Sequence, residues 1–245
     1  MKVIAVIPVH GRGKLLKYTI KRLLEKNGCA GVVCVGQGQD DKLVATGAGA
    51  VWVEHVNKPL GKKWNAGFLK AREFSPDACL FVGSSDWLSD NWIDEMAPHL
   101  SGHGMVGTPG CYFGDFRPEG NRLVYWPGYA TGLPNAQRSK ERADEPIGIG
   151  RMISAECLDR MEWEPIDSGL DNSIDWSMFN RVRQAGYTVG MVSDAPISAL
   201  SISCHMWPNK HRFEDHWSDK LPSVKIKSPD EFLDNIFPEY KEVFG

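Results

Sequence analysis

Apolar runs and amphipathic stripes alternate along the first hundred residues. Val3 to Val9 is continuous, apolar and rich in β-branched residues, the pattern of a strand buried on both faces. A polar turn, His10-Gly11-Arg12-Gly13, follows it. Leu16, Ile20, Leu23 and Leu24 then form a helical stripe within Lys14 to Lys26, with Gly28 as its stop. Val32 to Val35 reads as a second strand, Gly36 to Asp41 as a polar turn, and Ala50 to Val56 as a third strand. Leu60, Trp64, Phe68 and Ala71 recur every three or four residues, which predicts a helix. Ala78 to Val82 is a short apolar run, the fourth strand. Strands alternating with helices in this way predict an α/β fold: a mostly parallel sheet with helices on both faces and right-handed crossovers.

From Thr108 to Gly150 the texture changes. Gly and Pro are frequent, and Tyr112, Phe113, Phe116, Tyr125, Trp126 and Tyr129 are interleaved. This is read as an irregular, aromatic-rich insertion over the sheet edge, with Arg122 to Trp126 as one strand of a hairpin. Ser154 is placed to cap a short helix reaching Met161. Asp171 to Ala185 carries Ile174, Met178 and Val182 at four-residue spacing, a helix, and Thr188 to Val192 is a late strand. Ser228-Pro229-Asp230-Glu231 has the form of a capping box. The expected division is a main domain over 1–200, split into halves 1–107 and 108–200, and a tail over 201–245 with a late helix packed on the same domain.

A chain of 245 residues suits one α/β domain and can bury a core without crosslinks. Lys and Arg number 28 against 31 Asp and Glu, so no global field recruits nucleic acid or an anionic membrane. Six cysteines form no CxxC pair, and the pattern suits free thiols in a reducing compartment. Pro8 interrupts the N-terminal apolar run too early for a signal peptide, and no run approaches the roughly 20 residues of a membrane helix. A cytoplasmic location is expected.

Four motifs occur in a telling order: Ile7-Pro8-Val9-His10-Gly11-Arg12 at the end of the first strand; Gly61-Lys62-Lys63-Trp64-Asn65-Ala66-Gly67; Leu80-Phe81-Val82-Gly83-Ser84-Ser85-Asp86, a strand running into a polar turn; and Asp175, Arg181 and Gly186. Over roughly residues 3–192 this resembles the nucleotide-sugar glycosyltransferases of family 2, which have the GT-A (Rossmann-like) fold. Each motif is weak alone, and their order carries the resemblance.

The resemblance implies transfer of a sugar from a nucleotide-diphosphate donor to an acceptor hydroxyl, with inversion, assisted by Mn²⁺ or Mg²⁺. Asp86 is the carboxylate left in a DxD-type turn, with Gly83 and Ser85 where the family often has acids. It matches the metal and diphosphate ligand, and His205 matches a late histidine ligand, with His211 as second choice. Asp175 matches the general base. Its usual acidic partner is replaced by Ile174, which makes Asp171, four residues earlier on the expected helix, the substitute candidate. Pro8, His10, Arg12, Gln37, Lys62, Asn65, Ser84, Ser85 and Asp86 are the expected donor-binding residues. Lys58, Lys62 and Lys63 read either as phosphate contacts or as solvated surface lysines. The acceptor class is open among glycan, lipid-linked sugar, protein and modified base. The thinned acidic turn motivates an alternative, a non-catalytic GT-A-like sugar- or nucleotide-binding module. A sugar nucleotidyltransferase ranks lower, because Gly11-Arg12-Gly13-Lys14 is too short for its Gly-rich loop.

Overall fold

The computed structural model of the chain describes residues 1–132, 136–204 and 210–244. The opening apolar run forms β1 (Val3–Pro8), and the stripe after it forms α1 (Gly13–Glu25). Alternation continues through β2 (Gly31–Gly36), α2 (Gln39–Gly47), β3 (Val51–Glu54), α3 (Leu60–Arg72) and β4 (Ala78–Phe81). Next come β5 (Asp86–Leu88), α4 (Trp92–Leu100), β6 (Met105–Gly107), β7 (Cys111–Phe116), β8 (Arg122–Trp126), α5 (Tyr129–Gly132) and α6 (Ala136–Glu141). The remainder is β9 (Arg151–Ser154), α7 (Ala155–Arg160), α8 (Ile174–Gln184), β10 (Val189–Met191), β11 (Ala199–Cys204), α9 (Lys210–Trp217), β12 (Val224–Lys225), α10 (Pro229–Ile236) and α11 (Tyr240–Phe244).

Seven strands form the first sheet, in the order β10-β6-β9-β4-β1-β2-β3. It is parallel except for β9, which runs antiparallel between β4 and β6. Side-chain alternation along β1 divides the core. Val3, Ala5 and Ile7 pack with Leu16, Ile20 and Leu23 of α1 and with Trp92 and Met96 of α4. Ile4 and Val6 face the other way, onto Trp64 and Phe68 of α3 and Met178, Phe179 and Val182 of α8. A continuous apolar strand is what a sheet covered on both faces requires.

Beyond the carboxyl ends of these strands stands a second sheet of five strands, β12-β8-β7-β11-β5. β7 and β8 form the expected hairpin, with Cys111 opposite Trp126. The region read as an irregular insertion therefore supplies two of the five strands of an ordered sheet. β11 crosses residue 200, the expected tail boundary, and lies between β7 and β5. The tail helices close a third apolar cluster, with Leu233, Phe237, Tyr240 and Val243 against Leu15, Trp87, Leu123 and Leu200. Arg22 of α1 pins them. Buried to 5% exposure, it donates to Leu88 O at 2.8 Å and to Glu239 at 2.7 Å, and pairs with Asp90.

Three local expectations change. Gln39 to Gly47 is a helix where the sequence suggested a turn running to Asp41. Only Ala45 of it is buried, so it carries no apolar stripe. α8 begins at Ile174, because Ser173 adopts a left-handed conformation (φ 54°), so Asp171 lies outside the helix. Pro229 opens α10, but the Ser228 side chain makes no cap bond. The Ser154 cap forms as expected, accepting from Cys157 N at 3.2 Å. Cys29, Cys34, Cys79 and Cys157 are buried free thiols, and Cys111 is buried as well. No helix among the described residues is long and apolar enough to cross a membrane.

Candidate functional site

The exits of β1 and β4 lie side by side, because those strands pair in parallel, with Val6 opposite Phe81. After β4 the chain reverses through Gly83-Ser84-Ser85 into β5. Asp86 N donates to Gly83 O at 3.1 Å, and Gly83 N donates back to Asp86 Oδ2 at 2.9 Å. The half-buried carboxylate thus closes its own turn. A Cβ on Gly83 would lie 2.4 Å from Asp86 Oδ2, so an acid at 83 cannot be added without moving Asp86. Arg12, left-handed at φ 76°, reaches across from the β1 exit and donates to Ser85 Oγ. Ser84 and Ser85 are buried, and Thr19 donates to Ser84 O at 3.5 Å.

The same exit gathers Gly11, whose N–H donates to Asp41 Oδ2 at 2.8 Å, and His10, whose Nδ1 meets Asn57 Nδ2 at 2.9 Å. Beneath them Lys63 is almost fully buried, donating to Val9 O and to Asn57 Oδ1, the latter at 2.7 Å. Burial pulls its ammonium down to about 8, against a smaller opposing pull from Asp41. Lys63 is therefore not a solvated surface lysine. Pro8 ends β1, Gln37 is exposed just after β2, and Lys62 is exposed on α3.

The Gly61–Gly67 motif has a packing function. Asn65 is buried, donating to Ile166 O at 2.7 Å and Ser168 Oγ at 3.0 Å, and accepting from Ile166 N at 3.2 Å. A Cβ on Gly61 would sit 2.0 Å from Asp167 O, and one on Gly67 would sit 2.5 Å from Val6 Cγ1. Asp171 caps the same helix, accepting from Leu60 N at 3.0 Å, with Lys58 at 3.6 Å. Together these contacts clamp the 166–171 loop to α3 and fix the start of α8.

Asp175 stands in the first turn of α8, half-buried. Tyr129 donates its phenol to Asp175 Oδ2 at 2.8 Å. Burial and then the Asp175 charge raise that phenol well above its ordinary value, so it remains a donor. Arg142 lies over the Tyr129 ring, 3.6 Å from its centroid, and bonds Glu145. Glu145 also accepts from Arg151 at 2.8 Å, and Arg151 donates to Asp175 O at 2.6 Å. Arg151 pairs with Phe81 in the sheet, so this buried network ties Asp175 to the end of β4. Asp86 and Asp175 thus flank one strand end, where open α/β sheets bind ligands.

Arg142, Glu145 and Arg151 were not anticipated as site residues, and Tyr129 was singled out only as one of the interleaved aromatics. The Arg142–Glu145 spacing of three residues was the one available signal. His205 and the side chain of His211 lie outside the described residues. No group of three or more His, Cys, Asp or Glu positioned for a metal occurs among the described residues. Asp86 is one carboxylate, so a divalent ion held there would need phosphate and water oxygens to complete its shell.

No family model and no curated protein matches the sequence. Among solved structures, the chain is similar to TarS residues 1–349 of S. aureus, at TM-score 0.56 and 13% identity, over 82% of this chain and 60% of that one. It also aligns with glucosyl-3-phosphoglycerate synthase from Mycobacterium tuberculosis, in complex with phosphoglyceric acid, at TM-score 0.47 and 14% identity, covering 78% and 69%. A further mycobacterial protein aligns at TM-score 0.48 and 15% identity, covering 83% and 65%. The likeness to TarS shows the GT-A-type fold, and the chain spans about three fifths of that fragment's length.

Proposed function

We propose that this chain is a glycosyltransferase that moves a sugar from a nucleoside-diphosphate donor to an acceptor hydroxyl, with inversion. The observation that carries the reading is the pair of carboxylates, Asp86 and Asp175, flanking the end of β4 in a GT-A-type fold. Asp86 stands on the diphosphate side and would hold a Mn²⁺ or Mg²⁺ ion, which would supply positive charge to offset that of the leaving group. Arg12, His10 and Lys62 add positive or hydrogen-bonding groups on the donor side, with Gln37 at the base edge and Pro8, Ser84 and Ser85 shaping the turn. Asn65 acts from beneath, through the loop it holds. Asp175 takes the acceptor proton. Its Oδ2 is occupied by Tyr129, which leaves Oδ1 as the accepting atom. Asp171, engaged at the start of α3, is left the capping role. His205 remains a proposed further metal ligand.

Calorimetric titration with UDP, GDP, CDP and TDP, each with Mn²⁺ and with EDTA, tests the donor half of the reading. Metal-dependent binding of one nucleotide is expected. Asp175→Asn tests the other half: transfer falls by at least about a hundredfold, the range for loss of a general base, while nucleotide affinity is unchanged. Full activity in that variant refutes the assignment. One observation favours a second reading, a non-catalytic binding module: Asp86 is the sole acid of its turn, and Gly83 has no room for another. Release of nucleoside diphosphate on prolonged incubation with the bound donor excludes it.

A further inference from the structure

A small cavity of about 190 Å³ opens beside the candidate site, walled by Tyr112 and Tyr125 and by backbone that continues β6 and β10. β6 and β10 run parallel to β4, so this wall stands at the same end of the first sheet as the Asp86 turn. Ala199, also in the wall, lies opposite Leu88 in the second sheet, while Ser201 lies opposite Asp86. Two residues of strand separate the registers, about 7 Å at the usual rise per residue.

The lining has the chemistry of a sugar site. Tyr112 and Tyr125 are half-buried, with ring centroids 5.1 Å apart and planes inclined at 55°. Among the described residues neither phenol makes a hydrogen bond, and burial raises both, so each stays a protonated donor. Ser193 and Ser198 add hydroxyls at the rim. Aromatic faces beside hydroxyl groups match the apolar face and equatorial hydroxyls of a pyranose. The volume lies below the roughly 300 Å³ at which sites for larger ligands begin, and admits one ring. Among the described residues, charged side chains, which a phosphate or carboxylate would call for, are absent from this lining.

We propose that this cavity is the acceptor subsite and that it holds one neutral pyranose ring, so that the acceptor is a glycan. The inference rests on the transferase reading above. Tyr125 donates its phenol to a ring hydroxyl, and Tyr112, braced by Phe232 at 4.3 Å, forms the apolar wall.

Saturation-transfer NMR on the full chain tests it with the methyl glycosides of glucose, galactose, mannose and N-acetylglucosamine. At least one is expected to bind, with affinity reduced about fivefold in Tyr125→Phe, the loss of one neutral hydrogen bond. Ser193→Trp, at an exposed position on the rim, is expected to abolish binding with the melting temperature unchanged. Absence of transfer to all four from folded protein overturns the proposal, as does binding that neither substitution alters. Nucleoside-diphosphate titration of the same sample separates the two readings. Nucleotide binding without glycoside binding overturns the subsite alone. Glycoside binding without nucleotide binding supports a sugar site and overturns transfer.

Discussion

Glu145→Gln isolates the network behind Asp175. Glu145 is 1% exposed, and its carboxylate meets Arg142 at 2.7 Å and Arg151 at 2.8 Å; Arg151 is itself fully buried. Glutamine keeps the volume but offers one acceptor oxygen, and its amide hydrogens point at guanidinium. Two buried cations then share no anion between them. Removing one partner of a buried pair costs about 3–5 kcal/mol, and the retained oxygen places this change near the lower end. For a chain of this size about 3 kcal/mol lowers the melting temperature by about 6–12 °C. Urea and thermal unfolding followed by circular dichroism measure both quantities. Asp144→Asn, exposed on the neighbouring turn, serves as control and is expected to change stability by less than about 0.5 kcal/mol. A loss below about 1 kcal/mol in Glu145→Gln refutes the reasoning, because it means that water already reaches the guanidinium groups.

Three further outcomes follow from the geometry. The Lys63 ammonium is held down to about 8 in the fold against 10.5 when free, so the unfolded chain binds the extra proton between those values. Stability relative to Lys63→Met therefore rises from about pH 8 to 10.5, and a flat difference in pH-dependent urea midpoints contradicts it. Gly61→Ala drives a Cβ to within 2.0 Å of Asp167 O, so the loop must leave α3; a loss of about 3 kcal/mol is expected by urea unfolding. Arg22→Leu removes the bonds to Leu88 O, Asp90 and Glu239; it costs about 2–3 kcal/mol and exposes residues 228–244 to limited proteolysis before the rest.

The parallel half of the fold was legible because β1, β2 and β4 are buried on both faces and leave unbroken apolar runs. α2 was not, since one buried alanine makes no stripe. β5 and β9, of three and four residues, are too short for a periodic signal. Asp86 and Asp175 could be chosen by motif, but their surroundings could not. Tyr129 meets Asp175 across 46 residues of sequence, and Arg142 and Glu145, a charged pair in a polar stretch, lie inside the protein. Lys63 was misjudged for the same reason: its burial depends on the β1 exit folding over it, a contact 54 residues distant.

Among the described residues β5 pairs with no strand other than β11, which follows it by more than a hundred residues. The pairing that braces the Asp86 turn from β11 is therefore expected to form late in folding. Closing so long a loop is slow, and the parallel sheet can form first without it. The strand that braces this turn is complete only once residue 204 has been synthesised. A truncated product ending before β11 keeps the turn that carries Asp86 and lacks the strand that braces it, so incomplete chains carry the motif without its full support.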